Sequence, residues 1–279
     1  MKLAFVATRQ DLTSIKIRAI QMAKFLNCSF LLDTDKTCND YDILIYVKYP
    51  GDIELMGERK KKGILQIMDP IDNFEFKEFN KRKDFIDGFI AASISHKVLL
   101  SKMYSVPVES IPHHHSNFNE KKISIKPNDN LVIGYVGDKT HYKKVKFLEK
   151  HFENIFKDIK YNNLEKSYLS IDIGFAYRID KMKIIYNSSL KLLNYMSYGI
   201  PSVLNFENGY SEVGNHGEHC LFVESKKELI ESLKFLSENY ELRKKMSEAG
   251  FQKAKDYHYT KIVPKYKSFL FDSFKMDIE

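Results

Sequence analysis

The chain has 279 residues, of which 43% are hydrophobic and 29% charged, and its 44 lysines and arginines against 37 aspartates and glutamates give a formal net charge of +7. The length suits two modest α/β domains, and the composition excludes a disordered chain. The three cysteines form no CxxC pair, which excludes a zinc ribbon and a disulfide framework and favours a reducing cytoplasm. No zinc-finger or RRM signature accompanies the positive charge, so we expect no nucleic-acid partner.

The N-terminal sequence MKLAFVATRQDLTS predicts a buried strand that runs into a turn. It lacks the long apolar run and the small-residue cleavage site of a signal peptide. No stretch of the chain approaches the roughly 18 apolar residues that span a bilayer. We therefore expect a soluble, cytoplasmic protein.

In the first part of the chain, short apolar runs alternate with amphipathic segments. Strands are expected at 3–7, 29–32, 42–47, 64–68, within 84–93 and at 108–112, and helices at 14–26, 52–61 and 94–104. Continuous apolar runs such as LAFVA and DILIYV are typical of strands that are covered on both faces. The alternation predicts a doubly wound α/β domain over residues 1–118.

A polar, basic segment at 119–130 that contains Pro127 is the expected linker to a second α/β domain at 131–260. Strands are expected at 131–137, 169–177, 201–205 and 220–223, and helices at 141–157, 188–198, 226–238 and 240–256. Two such domains place a ligand site at the carboxyl ends of their strands, in the cleft between them. We expect a last amphipathic helix within 261–279, which either packs on the first domain or lies on an anionic membrane face.

The stretch 187–223, NSSLKLLNYMSYGIPSVLNFENGYSEVGNHGEHCLFV, resembles the nucleotide-sugar-binding half of the GT-B glycosyltransferases. KLLNYMSYGIPSV occupies the place of the family's K-L-x-E-x-M-A-x-G-x-P pattern, and Glu212, Gly217 and CLFV follow in the family's order. ENYELRKKMSEAGFQKAKDYHYT is similar to the family's closing helices, and LVIGYVG to the strand that opens its C-terminal domain. The resemblance implies two Rossmann-like domains that face a cleft, with the C-terminal helix packed back on the N-terminal domain.

The same resemblance implies a metal-independent enzyme without a cofactor. It would move a sugar from a nucleotide-activated donor, held by the C-terminal half, to a glycan or lipid-linked acceptor, held by the N-terminal half. Bacterial surface polysaccharides are common products of compact family members, so peripheral contact with the inner membrane face is an open alternative. Two other functions also stay open: a nucleotide-sugar epimerase of the same fold, and a non-catalytic subunit that binds a nucleotide-sugar or a partner.

The sequence departs from the family at two carboxylates. Many retaining members carry a Glu-x7-Glu pair that contacts the donor sugar and the ribose, and the alignment places Tyr186 and Asn194 at these positions. Retention or inversion therefore stays open. The chain before 169–177 also looks too short for the family's extra strand, helix and strand.

Candidate donor residues cluster around two strand-to-helix turns. A helix that begins near Ser188 and Ser189 presents unpaired N–H groups to a phosphate, and either serine can cap it. Lys191 in its first turn adds a positive charge, or is an ordinary solvated lysine. The loop YVGDKTHYKK offers a second anion cradle. The predicted donor contacts are Gly137, Asp138, His141, Lys144, Arg178, Ser188, Ser189, Lys191, Leu192, Asn194 and Glu212.

Three residues are candidates for catalysis: His114, Asp69 and Arg178. A histidine in the run 113–115 titrates in the range that a base for an acceptor hydroxyl needs, although structural histidines are more common. Asp69 follows a strand and either acts on the acceptor or forms a turn with Pro70. Arg178 follows the strand IDIGFAY and either stabilises the departing phosphate or pairs with Asp172 or Asp180.

Overall fold

The structure is a computed structural model that describes residues 1–71, 76–128, 130–137, 142–143, 145–152, 155–158, 164–178 and 186–278. These residues form two parallel β-sheets, of six and five strands. Each sheet belongs to one of two compact units. Unit 1 comprises Met1–His113, Tyr186–Ser188 and Tyr259–Glu279, and unit 2 comprises His114–Ile185 and Ser189–His258. The domain boundaries expected from the sequence stay a prediction.

The sheet of unit 1 has the strand order β2-β1-β3-β4-β5-β6, and every neighbouring pair is parallel. Its strands are β1 (Leu3–Ala7), β2 (Ser29–Leu32), β3 (Ile43–Val47), β4 (Leu65–Asp69), β5 (Gly88–Ala91) and β6 (Val108–Ser110). The expected strands of the first half are thereby confirmed. All five residues of both β1 and β3 are buried, which explains why these runs show no polar alternation.

The helices of unit 1 cover this sheet. They are α1 (Thr13–Ile15), α2 (Met22–Phe25), α3 (Ile53–Lys61), α4 (Phe76–Asn80) and α5 (Ile94–Met103), with short 3-10 turns at Lys36–Asp40 and Lys83–Phe85. The expected helix at 14–26 contains a π-helical stretch, Lys16–Gln21, between α1 and α2. Such stretches are rare and are often found at functional sites, and this one carries the buried Arg18.

Unit 2 contains the strands β7 (Ile133–Val136), β8 (Ile155–Asp158), β9 (Ile173–Ala176), β10 (Ser202–Asn205) and β11 (Leu221–Val223). They form a parallel sheet in the order β11-β10-β9-β7-β8. Its helices are α6 (Leu164–Leu169), α7 (Leu190–Ser197), α8 (Asn208–Ser211), α9 (Lys226–Glu238) and α10 (Tyr240–Ala254), with 3-10 turns at Lys146–Lys150 and Lys255–Tyr257. Two hydrophobic cores in unit 2 contain residues of this sheet and its helices.

The expected helix at 141–157 is wrong from residue 146 onward, whereas residues 142–143 are helical. The chain forms a 3-10 turn at Lys146–Lys150 and then strand β8. Tyr142, Val145 and Leu148 are buried and are spaced by three residues, a period that a 3-10 turn satisfies as well as an α-helix does. Backbone hydrogen bonds join Val145 to Tyr142 and Leu148 to Val145. The region was expected to be too short for an extra strand, helix and strand, and it contains one strand, β8, and one helix, α6, before β9.

The last helix of the chain, α11 (Tyr259–Phe274), belongs to unit 1. Tyr266 packs edge to face on Phe5 of β1 with ring centroids 5.7 Å apart, and Tyr259 stacks on Phe25 at 4.1 Å. The C-terminal helix thus packs back on the N-terminal sheet, as the resemblance implies. None of the described helices is both long and apolar enough to cross a membrane.

Candidate functional site

Lys191 lies at the carboxyl end of the unit 2 sheet. It occupies the first turn of α7, and its Nζ donates a hydrogen bond to the carbonyl oxygen of Val136, the last residue of β7, at 2.7 Å. The ammonium also lies 4.5 Å from the ring centroid of Tyr135. A Cβ on Gly137 would collide with Lys191 Nζ and approach Tyr135 Oη to 2.5 Å. A side chain at this position would therefore displace Lys191 Nζ or the hydroxyl of Tyr135.

The N-terminus of α7 carries the two predicted serines. Ser189 is the N-cap residue, but its side chain accepts no capping hydrogen bond, so the predicted capping by this side chain is wrong. Ser189 is 1% exposed, and among the described residues its Oγ has no hydrogen-bond partner. Ser188 is buried as well. An eight-residue helix such as α7 presents backbone N–H groups and a positive dipole end at this point.

Arg178 follows β9 and contacts a buried carboxylate. Its Nη1 lies 3.6 Å from Oε2 of Glu207, and its backbone N–H donates to Oδ1 of Asn205 at 2.7 Å. The amide of Asn205 in turn donates to Oε1 of Glu207 at 3.2 Å. Glu207 is completely buried. Burial, and secondly the charge of Glu207, raise the pKa of the neighbouring Tyr210 well above its ordinary value.

Asp172 and Asp180 were the ion-pair partners expected for Arg178 as the alternative to a phosphate contact. Asp172 instead accepts from Lys126 at 3.0 Å and from the backbone of Val132 at 2.8 Å, and Asp180 lies outside the described residues. The sequence prediction missed Glu207. Its position two residues after the buried strand SVLN could have indicated it. The sequence instead predicted Glu212 as a donor contact. That residue is the C-cap of α8 and is partly exposed.

The carboxyl ends of β7, β9 and β10 lie side by side, because these strands are parallel neighbours. This edge brings together Gly137, Arg178, Glu207 and the first turn of α7 with Lys191. Two cationic side chains and one helix N-terminus at the carboxyl edge of a parallel sheet form an arrangement that can hold a diphosphate. Leu192 contributes no side chain to it, because its side chain is fully buried in a hydrophobic core. The predicted contacts Asp138, His141 and Lys144 lie outside the described residues.

Two comparisons with known proteins bear on this arrangement. Residues 146–263 match the model of a family described as glycosyl transferase-like. The crystal structure of Anabaena HepE in complex with UDP-glucose is similar over 98% of this chain and 100% of its own, with a TM-score of 0.73 and 12% identity. The chain has the GT-B glycosyltransferase fold.

Other solved GT-B structures are similar over nearly the whole chain. An alpha-glucosyltransferase in complex with UDP and a 13-mer DNA matches with a TM-score of 0.68 and 12% identity, covering 97% of this chain and 99% of its own. The lipopolysaccharide outer core galactosyltransferase WaaB matches with a TM-score of 0.58 and 12% identity, covering 98% and 99%. A comparison with curated proteins finds no match. At these identities the structural matches establish the fold of the chain.

Asn194 is the residue that the resemblance implies at the place of the second glutamate of the retaining GT-B pair. It is 3% exposed, and its Oδ1 accepts from both the backbone N–H and the hydroxyl of Ser116, at 2.8 and 3.0 Å. These hydrogen bonds join Ser116, near the start of unit 2, to helix α7. The predicted contact with a ribose hydroxyl would have to use the amide nitrogen or a rearranged side chain, and it stays a prediction.

The histidine run is buried. His114 is 2% exposed, its Nδ1 lies 2.9 Å from the carbonyl oxygen of His115, and its ring lies 5.7 Å from that of Phe118. A carbonyl oxygen can only accept, so Nδ1 carries the proton of this hydrogen bond and Nε2 is the basic nitrogen of the neutral ring. Burial, and then the nearby His258 and His114, lower the pKa of His115 to about 3. His115 is therefore neutral in the folded protein at pH 7.

Asp69, the last residue of β4, forms a buried ion pair. Its Oδ2 accepts from Arg18 Nε at 2.6 Å, and the two side chains are 0% and 1% exposed. Arg18 also donates to the carbonyl oxygens of Pro112 at 2.9 Å and Ile111 at 2.6 Å. This contact joins the π-helical stretch, the end of β4 and the chain after β6. It supports a structural role for Asp69, and its catalytic role stays a prediction.

Proposed function

We propose that the protein is a glycosyltransferase that binds a nucleotide-sugar at the carboxyl edge of the unit 2 sheet. The observation that carries this proposal is the placement of Lys191 against Val136 and Gly137, beside the N-terminus of α7. A departing nucleoside diphosphate gains negative charge in the transition state. Fixed cations and helix N–H groups at its position stabilise that charge without a change in their own orientation.

Arg178 is the second cation of the proposed donor site. Its contact with the buried Glu207 fixes the guanidinium at the end of β9, one strand away from β7. A guanidinium binds two phosphate oxygens through a planar, bidentate pair of N–H groups, a geometry that a lysine ammonium does not offer. We assign Arg178 to the diphosphate and propose a reaction that needs no metal ion, because these groups supply the positive charge.

We further propose that the acceptor is a glycan or a lipid-linked glycan, as in the synthesis of bacterial surface polysaccharides. The similarity to WaaB, whose structure is described as a lipopolysaccharide outer core galactosyltransferase, supports this choice. Such an acceptor brings the protein to the cytoplasmic face of the membrane. HepE and the alpha-glucosyltransferase were both solved with UDP, so a uridine donor is the first candidate.

A second candidate function is a non-catalytic subunit that binds a nucleotide-sugar. The observation that favours it is the loss of both family carboxylates, together with the use of the Asn194 oxygen by Ser116. Such a protein would bind the donor without consuming it. An epimerase of the same fold would convert the donor in the absence of any acceptor.

The first experiment is a thermal-shift screen of the full chain against UDP, GDP, CMP, ADP and dTDP and their sugars, with EDTA present. A ligand at 100 times its Kd stabilises the folded state by about 2.7 kcal/mol. We expect one nucleotide to raise the Tm selectively and Lys191→Ala to abolish this shift. Lys234→Ala, on the exposed face of α9, is the matched control and should leave the shift unchanged.

Donor turnover then separates the candidate functions. A glycosyltransferase consumes the selected nucleotide-sugar when a glycan acceptor is added, an epimerase consumes it without one, and a binding subunit leaves it intact. Equal nucleotide shifts in wild-type protein and Lys191→Ala would contradict the donor site. The absence of a shift with every nucleotide would contradict all three functions.

A further inference from the structure

Unit 1 contains a cavity of about 340 Å³ at the carboxyl ends of its first three strands. Thr8 follows β1, Thr34 follows β2, and Gly51 lies between β3 and α3, and all three line it. In the strand order β2-β1-β3, β2 lies on one side of β1 and the following strands lie on the other side. The order of the strands therefore reverses between β1 and β3. Open parallel sheets bind their ligands at such a switch point, and the volume lies in the range of ligand sites.

The floor of the cavity is a carboxylate that is held by other buried groups. Asp33 is 4% exposed, and its Oδ1 accepts from Arg59 Nη1 at 2.5 Å. Arg59 also donates to Oη of Tyr46 at 2.9 Å, and Tyr46 donates to Gln66 at 3.0 Å. The other oxygen of Asp33 accepts the backbone N–H of Asp52 at 2.6 Å. These buried hydrogen bonds restrict the position of the Asp33 carboxylate.

Gly51 lets the cavity form. A Cβ at this position would lie 2.6 Å from Cε1 of Tyr46 and 2.8 Å from Oδ1 of Asp33. Any larger residue would have to displace Asp33 or Tyr46. The close approach of the backbone at position 51 to these two side chains therefore requires glycine.

Each charged group that lines the cavity has an internal partner. Arg82 donates from Nε to the carbonyl oxygen of Gly51 at 2.7 Å, and its Nη1 lies 3.1 Å from Glu78 Oε2. Asp33 is paired with Arg59. Asp52 caps α3 through the N–H groups of residues 54 and 55, where the helix dipole offsets its charge.

A lining of this composition suits a neutral ligand with many hydroxyl groups. The two threonines are exposed and offer hydroxyls that both donate and accept, and the carboxylates accept hydrogen bonds from hydroxyl groups. A phosphate would instead meet the two carboxylates of the lining, Asp33 and Asp52. Like charges brought together in a partly buried site repel each other.

We propose that this cavity binds an uncharged sugar ring, which is the acceptor end of the glycan if the proposed function holds. The assignment as acceptor rests on the proposed function, whereas the binding of a neutral sugar by unit 1 does not. The site thus selects an acceptor whose terminal ring carries neither phosphate nor carboxylate.

The test measures binding of free sugars by saturation-transfer NMR, without any nucleotide. The probes are the methyl glycosides of glucose, galactose, mannose and N-acetylglucosamine, with glucose 6-phosphate as the charged counterpart of glucose. We expect at least one neutral glycoside to bind wild-type protein. The double variant Thr8→Val/Thr34→Val removes two hydroxyls without a loss of volume and should weaken this binding at least tenfold, and Thr34→Phe should block it.

Thr37→Val is the matched control, because Thr37 is an exposed threonine of unit 1 outside this cavity. It should bind the sugar as wild type does. The cavity variants should keep the nucleotide shift that depends on Lys191, and this separates the two proposals. Binding of no neutral glycoside, equal binding by the cavity variants, or equally tight binding of glucose 6-phosphate would each overturn the inference. Sugar binding in a protein that binds no nucleotide would overturn only its role as acceptor site.

Discussion

Arg178 and Glu207 face each other across the carboxyl ends of β9 and β10, with Nη1 and Oε2 3.6 Å apart and the carboxylate completely buried. The two residues are 29 positions apart in the sequence, and neither belongs to the carboxylate pair of retaining GT-B enzymes. A buried carboxylate is costly unless a positive charge and hydrogen-bond donors compensate it. Arg178 and the amide of Asn205 supply both.

The first prediction is that these two side chains are energetically coupled. Arg178→Met leaves Glu207 buried without its cation and should lower the free energy of unfolding by about 3–5 kcal/mol. Glu207→Gln keeps the shape of the side chain and should cost about 1–3 kcal/mol. The double variant should be less destabilised than the sum of the two, as urea unfolding of all four proteins would measure. Additive effects would mean that the pair is not coupled.

A second prediction concerns the Arg18–Asp69 pair. Arg18 donates to Asp69 and to two backbone carbonyls, an arrangement that needs the planar guanidinium. Arg18→Met should lower the free energy of unfolding by about 3–5 kcal/mol, and Arg18→Lys should not restore it.

The control for Arg18 is another arginine–aspartate pair of unit 1, Arg9–Asp11, whose side chains are 55% and 61% exposed. Arg9→Met should leave the urea midpoint unchanged, because exposed pairs contribute little. If Arg18→Lys unfolds at the wild-type midpoint, the three-acceptor geometry does not contribute to stability.

The third prediction is a pH dependence that comes from His115. Its pKa is lowered to about 3 by burial and by its histidine neighbours, whereas an unfolded chain has a histidine pKa near 6.5. Between pH 6.5 and 3 the unfolded state binds more protons, so stability that is present above pH 6.5 is lost as the pH falls. One such group contributes a slope of at most about 1.4 kcal/mol per pH unit.

His115→Asn tests this prediction, because the amide oxygen can replace Nδ1 as the acceptor for the backbone N–H of Asn117. The loss of stability of the variant between pH 6.5 and pH 4 should be smaller than that of wild type in chemical denaturation. The exposed His151 provides the control, since His151→Gln should keep the wild-type slope. Identical slopes for wild type and His115→Asn would show that His115 is not the group responsible.

Much of this architecture follows from local patterns. Continuous apolar runs such as LAFVA and ILIYV are typical of strands that are covered on both faces. The amphipathic stripe that includes Ile262, Tyr266 and Phe269 requires an apolar surface to cover it. The helix expected at 141–157 gives way to a 3-10 turn at Lys146–Lys150, because the spacing of Tyr142, Val145 and Leu148 fits both helix types.

The polar contacts were harder to predict, because they join residues that are distant in sequence. Arg178 was recognised as a cation at a strand end, but its partner Glu207 looked like an ordinary loop glutamate in FENGYS. Asn194 was placed correctly on α7, yet nothing local shows that Ser116, 78 residues earlier, takes its oxygen. The cavity around Asp33 depends on four segments that meet only in the folded unit.

The last prediction uses Gly137, where the space for a side chain is already occupied. In Gly137→Ala the new methyl group would meet Lys191 Nζ and the hydroxyl of Tyr135, so the lysine must leave its place at Val136. The Kd of the nucleotide selected in the thermal-shift screen should rise at least tenfold, about 1.4 kcal/mol of binding free energy, in isothermal titration calorimetry. Gly57→Ala in α3 is the control, because its Cβ would be only in ordinary contact, 3.4 Å from Phe85. An unchanged Kd in Gly137→Ala would mean that the nucleotide does not use the lysine in this position, and the donor site would have to lie elsewhere.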